Sequence, residues 1–217
     1  MSIRKKSVKS PNEIFYHIIC YFCNVNCKSF DIMTEKEKML RGEIYDANYD
    51  PALLEERKAC KIKCQQFNTM PYDAEGREQL LRSIIGSCGA SFTIEPSFWC
   101  DYGYNIHLGE NFYANHNLVI LDGAPVRFGD NVFVAPNCGF YTAGHPISAA
   151  ERNKGLEYAK PITVGNNVWI GAGVQVMPGV TIGDNVVIGG GSVVVSDIPS
   201  NCVAVGNPCR VKKRIEE

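Results

Sequence analysis

The stretch Pro161–Val195, PITVGNNVWIGAGVQVMPGVTIGDNVVIGGGSVVV, decides how this chain folds. Val164, Ile170, Val176, Ile182, Ile188 and Val194 recur every six residues without a slip, and glycine follows four of them, at Gly165, Gly171, Gly183 and Gly189. A helix repeats every 3.6 residues and does not keep this beat. A second set, Val168, Val174, Val180, Val186 and Ser192, lies four residues after each member of the first. Gly165-Asn166-Asn167 and Gly183-Asp184-Asn185 supply residues suited to tight turns. The pattern predicts short strands joined at corners, three hexads to a triangular coil of about eighteen residues, with coils stacked so that each buries its aliphatics on its neighbours.

Working outward, the beat recurs at Leu108, Ala114 and Ile120, shifts by two residues, and resumes at Phe128 and Val134 with Gly129-Asp130-Asn131 between them. Between the two regular halves runs GFYTAGHPISAAERNKGLEYAKP, Gly139–Pro161, which has no beat and contains His145. Residues 141–161 therefore read as a loop excursion from one corner, the place where a site is added to a repetitive scaffold. Pro199 and Gly206–Arg210 mark the end of the array. Ahead of it, residues 34–88 read as helical. Thr34 and Glu37 form a capping box, Asp50-Pro51 opens a second helix, and Asp73 is placed to cap a third that carries Leu80, Leu81, Ile84 and Ile85 on one face.

The 217 residues suffice for a substantial core without staples, and a net charge of -1 carries no nucleic-acid signature. Basic runs occur only at Arg4–Lys9 and Arg210–Arg214. The ten cysteines, at 20, 23, 27, 60, 64, 88, 100, 138, 202 and 209, form no secreted framework, so a reduced, cytoplasmic protein is expected. Cys20, Cys23 and Cys27 lack a fourth ligand, and no metal is expected. The apolar run Ile14–Cys23 is shorter than the ~20 residues that cross a bilayer, so no membrane partner is expected. The chain thus divides into an extension (1–32), a helical segment (33–90), a β-helix (91–208) with its excursion, and a basic tail (209–217).

Seven motifs carry a resemblance: MTEKEKM from Met33, CDYGYNIHLGENFYAN from Cys100, LDGAPVRFGDNV from Leu121, TAGHPI from Thr142, PITVGNNVWIGAGV from Pro161, PGVTIGDNVVIG from Pro178 and GNPCRV from Gly206. Over residues 33–214 the chain resembles the maltose and galactoside O-acetyltransferases among the hexapeptide-repeat acyltransferases. The resemblance implies a mainly β fold, a left-handed parallel β-helix. The handedness is its contribution, because crossovers are ordinarily right-handed. It further implies acetyl-CoA as co-substrate, a small sugar acceptor such as maltose or glucose, and a homotrimer with sites shared between subunits. His145 becomes the expected general base, since histidine ordinarily titrates near neutrality. Asn115, Asp122, Asp101 and Tyr113 fall where relatives line the acceptor pocket, and Glu157 lies in the loop as a further acceptor contact. Ala172 and Gly190 are expected along the pantetheine arm, Trp169 at the thioester, and Arg210 and Lys213 at the phosphates. Backbone N–H groups near Gly171 and Ala172 are candidate oxyanion donors.

Two departures stand out. Val195-Ser196 replaces the Thr-Lys usual before the Asp that precedes the terminal proline, removing one CoA contact. Asp122-Gly123 and Ala47 stand where the galactoside branch has acids, which points to the maltose and glucose branch. Two other readings of the chain are a non-catalytic β-helical scaffold or sugar-binding module, and a zinc-dependent carbonic-anhydrase-like enzyme built on His107, His116 and His145. No cysteine is placed by motif beside His145, so direct transfer is expected over an acyl-enzyme.

Overall fold

The computed structural model describes residues 33–216. The expectations for the extension and for Cys20, Cys23 and Cys27 lie outside these residues. Three helices open the described chain: α1 (Glu35–Leu40), α2 (Pro51–Thr69) and α3 (Arg77–Ile84), with the short strand β1 (Tyr45–Asp46) between the first two. The capping box forms, with Thr34 accepting from the Glu37 N–H and Glu37 returning to the Thr34 N–H. Asp50 caps α2, accepting from the Leu53 N–H at 2.9 Å. Asp73 caps nothing; α3 begins after Gly76, whose φ of 86° makes a left-handed entry that a side-chain cap does not need to hold.

The rest is a prism of three parallel sheets. The first face stacks β4 (Ile106–His107), β7 (Val126–Phe128), β12 (Ile162–Val164) and β15 (Thr181–Ile182). The second stacks β2 (Phe92–Ile94), β5 (Phe112–Ala114), β8 (Phe133–Val134), β13 (Trp169–Ile170), β16 (Val186–Ile188) and β18 (Cys202–Val205). The third stacks β3 (Phe98–Cys100), β6 (Leu118–Leu121), β9 (Gly139–Tyr141), β14 (Gln175–Val176) and β17 (Val193–Val194). Both aliphatic sets point inward: Val164, Ile170, Val176, Ile182, Ile188 and Val194 are buried, and so are Val168, Val174, Val180, Val186 and Ser192.

Coil length is not uniform. Strand partners are 20 residues apart at Tyr113↔Phe133, 36 at Phe133↔Trp169, 18 at Trp169↔Val187 and 16 at Val187↔Val203. All of this variation sits at one edge, where the third face turns into the first. There Ile120 is followed by Val126, Phe140 by Ile162, and Val176 by Val180. The two-residue shift in the sequence beat is this wider corner. The wider coils are filled by larger side chains: Phe112, Phe128 and Phe140 stack with ring centroids 4.9 Å apart, where valine and isoleucine suffice below.

The edge between the first and second faces carries asparagines in the left-handed region, Asn111, Asn131, Asn167, Asn185 and Asn201 (φ 54–58°). Their amides stack along the axis, Asn111 donating to Asn131 at 3.1 Å, Asn131 to Asn167 at 3.2 Å and Asn185 to Asn201 at 2.9 Å. The basic end is not a free tail: β19 (Arg210–Arg214) pairs antiparallel with β18 and closes the second face. No helix among the described residues is long and apolar enough to cross a membrane.

Candidate active site

The excursion leaves β9 at Tyr141 and returns at β12. Within it β10 (Ala143–Gly144) pairs antiparallel with β11 (Leu156–Ala159), and the short helix α4 (Ala149–Arg152) lies between them. The other edge of β11 pairs with β1, so Tyr45 faces Glu157 across 112 residues of sequence. The excursion is thus held on one side by its own hairpin and on the other by the helical segment. Met39, Tyr45, Ala47, Leu53, Tyr102, Ala124 and Ala159 form a second small core beneath it.

His145 follows β10 directly. Its Nδ1 lies 3.0 Å from the carbonyl oxygen of Leu156. A carbonyl only accepts, so Nδ1 carries the proton and the lone pair of the neutral ring is on Nε2. Nε2 is 3.8 Å from Glu157 Oε1, and the other oxygen of Glu157 accepts from the Tyr45 hydroxyl at 3.2 Å. Burial pushes the Tyr45 phenol well above its ordinary range, and the Glu157 carboxylate pushes it the same way, so Tyr45 stays a donor. His145 is half exposed and Glu157 largely covered, at 47% and 17% side-chain exposure, so the imidazole is reached by solvent while its carboxylate partner is sheltered.

Asp122 and Asp101 lie at the same edge. Asp122, expected to line the acceptor pocket, is fully buried in the chain. Its Oδ1 accepts from the N–H groups of Asp101 at 3.0 Å and Tyr102 at 2.8 Å, and its carbonyl accepts from Asn105 Nδ2 at 2.7 Å. Asp122 therefore shapes the Asp101–Asn105 corner, and its Oδ2 makes no hydrogen bond. Burial raises its carboxyl to about 6. Asp101 is partly exposed and pairs with Lys61 at 3.5 Å. Gly123 sits against Tyr45: a Cβ there would lie 3.1 Å from its hydroxyl and 3.2 Å from Ala159 Cβ.

The remaining expected residues occupy other places. Asn115, Ala172 and Gly190 line the edge between the second and third faces, with Ala172 one coil above Gly190 and its carbonyl accepting from the Gly191 N–H at 2.8 Å. Ala172 and Gly190 are exposed, which leaves their backbone approachable. Of the two oxyanion candidates, the Gly171 N–H is already spent on Ile188 O at 2.8 Å. Tyr113 and Trp169 project outward from the second face in one row with Phe133; Trp169 is 55% and Phe133 50% exposed. Arg210 and Lys213 are exposed on β19 at the end of that face. Within one chain, then, the His145 set and the Asn115–Ala172–Gly190 set stand on different edges of the prism.

His107 lies on the first face with Nδ1 2.8 Å from Ser87 Oγ, and His116 at the edge between the second and third faces against the Pro96 carbonyl. Among the described residues the one grouping with metal-ligand spacing contains neither of these nor His145. Sequence reasoning missed Tyr45, Arg57 and Tyr102. Arg57 donates to the Tyr102 hydroxyl at 3.1 Å and to the Ala47 carbonyl, tying α2 to the corner beneath the loop. No local pattern marks these residues, because each acts across a long sequence separation.

A parallel β-helix of hexads with a histidine-bearing excursion at one edge defines a hexapeptide-repeat acyltransferase. Residues 38–89 match the maltose acetyltransferase hexapeptide capping motif, and residues 161–196 match the bacterial transferase hexapeptide, six repeats. YJL218W of Saccharomyces cerevisiae, whose name marks it as an unproven acetyltransferase, is 60% identical over 182 residues, covering 83% of this chain and 93% of its own. A maltose O-acetyltransferase structure from Clostridium difficile 630 aligns with TM-score 0.83 and 56% identity over 86% of this chain and all (100%) of that one. A galactoside acetyltransferase solved in complex with coenzyme A aligns with TM-score 0.81 and 45% identity, covering 85% and 92%. The chain belongs to the maltose and galactoside O-acetyltransferase family, an acetyltransferase with the left-handed β-helix of that family.

Proposed function

We propose that the protein moves the acetyl group of acetyl-CoA to a hydroxyl of a small saccharide, maltose, glucose or a close relative, by direct transfer. The observation that carries this reading is the fixed tautomer of His145: Nδ1 is committed to the Leu156 carbonyl, so Nε2 is a base open to solvent. As the acceptor oxygen attacks the thioester carbonyl carbon, Nε2 takes the hydroxyl proton. The imidazolium is then stabilised by Glu157 at 3.8 Å, itself held by Tyr45. Collapse of the tetrahedral oxyanion breaks the C–S bond, and the proton passes from His145 to the CoA sulfur, giving ester and free thiol.

The two separated edges support a homotrimer. The Asn115–Ala172–Gly190 edge of one copy meets the His145 loop of another only across a boundary between copies, and the apolar row Tyr113, Phe133 and Trp169 gives such a boundary something to bury. In this reading CoA lies along Ala172 and Gly190 with its thioester toward Trp169 and its phosphates toward Arg210 and Lys213. Asp101, Tyr113, Asn115 and Glu157 face the acceptor, and Asp122 positions the corner that presents Asp101.

The test is thiol release from acetyl-CoA against maltose, glucose, galactosides and a no-sugar blank, with wild type beside His145→Ala. Sugar-dependent release that falls by about 10²–10⁴-fold in the variant is expected, the range for a positioned general base. No sugar-dependent release from protein that binds CoA overturns the acceptor assignment, and absence of CoA binding favours a scaffold.

A further inference from the structure

The catalytic reading leaves unused a cluster of three thiols beneath the site. Cys60 and Cys64 are four residues apart on α2 and so share one helix face. That face packs on β3, whose Cys100 points inward. Cys60 Sγ is 3.4 Å and Cys64 Sγ 3.7 Å from Cys100 Sγ, and all three sulfurs lie within 4.8 Å of one another. Sulfurs bound to one zinc at about 2.3 Å in a tetrahedron lie about 3.8 Å apart, so these three already stand near ligand spacing.

A cavity of about 280 Å³ opens onto Cys60, lined also by Lys36, Glu56, Lys63, Tyr102 and Tyr104. The cluster has an entrance, which a simple packing role for three buried cysteines does not require.

Two features select the occupant. The group offers three sulfurs and no fourth histidine, carboxylate or thiol among the described residues, which leaves a tetrahedral ion incomplete. The surroundings disfavour added negative charge: all three sulfurs are buried, so any net charge left on the group is held out of water. Three thiolates on zinc or copper(I) leave a net negative charge there. A tris-thiolate of trivalent arsenic is neutral.

We propose that Cys60, Cys64 and Cys100 form a three-sulfur site that captures trivalent arsenic, entering as uncharged arsenous acid through the cleft over Cys60. In the reaction three As–O bonds break and three As–S bonds form. Each thiol proton leaves with one hydroxyl as water, so three waters are released and nothing is oxidised or reduced. Cys100 precedes Asp101 and Tyr102, whose N–H groups hold Asp122, so an occupant there bears on the corner beneath the catalytic loop.

The test uses the full chain with Cys20→Ser, Cys23→Ser and Cys27→Ser, which removes the other three-cysteine set in the sequence. Equimolar arsenite is added, and native mass and thiol titration after unfolding are measured. One arsenic per chain, with three thiols lost to the titrant, is expected. Affinity falls at least tenfold in Cys60→Ala and in Cys64→Ala, each checked for an unchanged circular dichroism spectrum. No adduct overturns the site, as does an adduct that survives Cys60→Ala with three thiols still lost. Displacement of the arsenic by an equal concentration of zinc overturns the charge argument. None of these readouts depends on acetyl transfer.

Discussion

Replacing Asp122 by asparagine turns the buried carboxylate of the site into a measurement. Asp122 is buried, its Oδ1 accepts two backbone N–H groups, and its Oδ2 has no partner. Burial moves its carboxyl from 3.8 to about 6. At ~1.4 kcal/mol per unit, ionising it in the folded chain costs about 3 kcal/mol more than in the unfolded chain. Because the folded value is the higher one, the stability gained from the protonated form is fully present below pH 3.8 and is lost as pH rises through about 6. Asp122→Asn keeps the Oδ1 acceptor and removes the charge. Its stability relative to wild type therefore rises by about 2.4 kcal/mol between pH 4 and pH 7.5, the rest of the effect lying below pH 4. Asp122→Ala instead strands the Asp101 and Tyr102 N–H groups and destabilises at every pH, at about 1–3 kcal/mol per stranded donor. Urea unfolding of the three proteins at one fixed protein concentration, at both pH values, reads this out. A wild-type-to-asparagine difference that does not change with pH refutes the reasoning, because the carboxylate is then not desolvated.

Gly103→Ala is expected to destabilise by more than about 3 kcal/mol, since φ is +79° there and a Cβ would lie 2.2 Å from the Ile84 carbonyl oxygen; thermal melting checks it. Tyr45→Phe removes the donor to Glu157 and lowers kcat by about tenfold with KM for acetyl-CoA unchanged, because the imidazolium loses a fixed partner while the cofactor edge is untouched. Ser196→Lys restores the basic side chain usual at this position and tightens CoA binding, which calorimetry would show; an unchanged Kd removes the significance of that departure.

The solenoid was legible in the sequence because its cause is local and repeated. Each aliphatic of Pro161–Val195 buries against its counterpart one coil away, so the period survives in the chain as a six-residue beat, and the asparagine corners survive as Gly-Asp-Asn and Gly-Asn-Asn. The capping box and the Asp50-Pro51 start were legible for the same reason, their partners being three residues away. His145 was visible as the histidine of the one segment that breaks the beat. What the tertiary structure decided is whatever depends on residues far apart in the chain. The Tyr45–Glu157 strand pairing fixes the loop, Asp122 turns inward to hold a corner instead of outward to a sugar, and Cys60, Cys64 and Cys100 meet where a helix face lies on a strand. The physical reason is that repetition writes the coil-to-coil contacts into sequence at a fixed spacing, whereas contacts between the helical segment and the prism occur once each and leave no period to read.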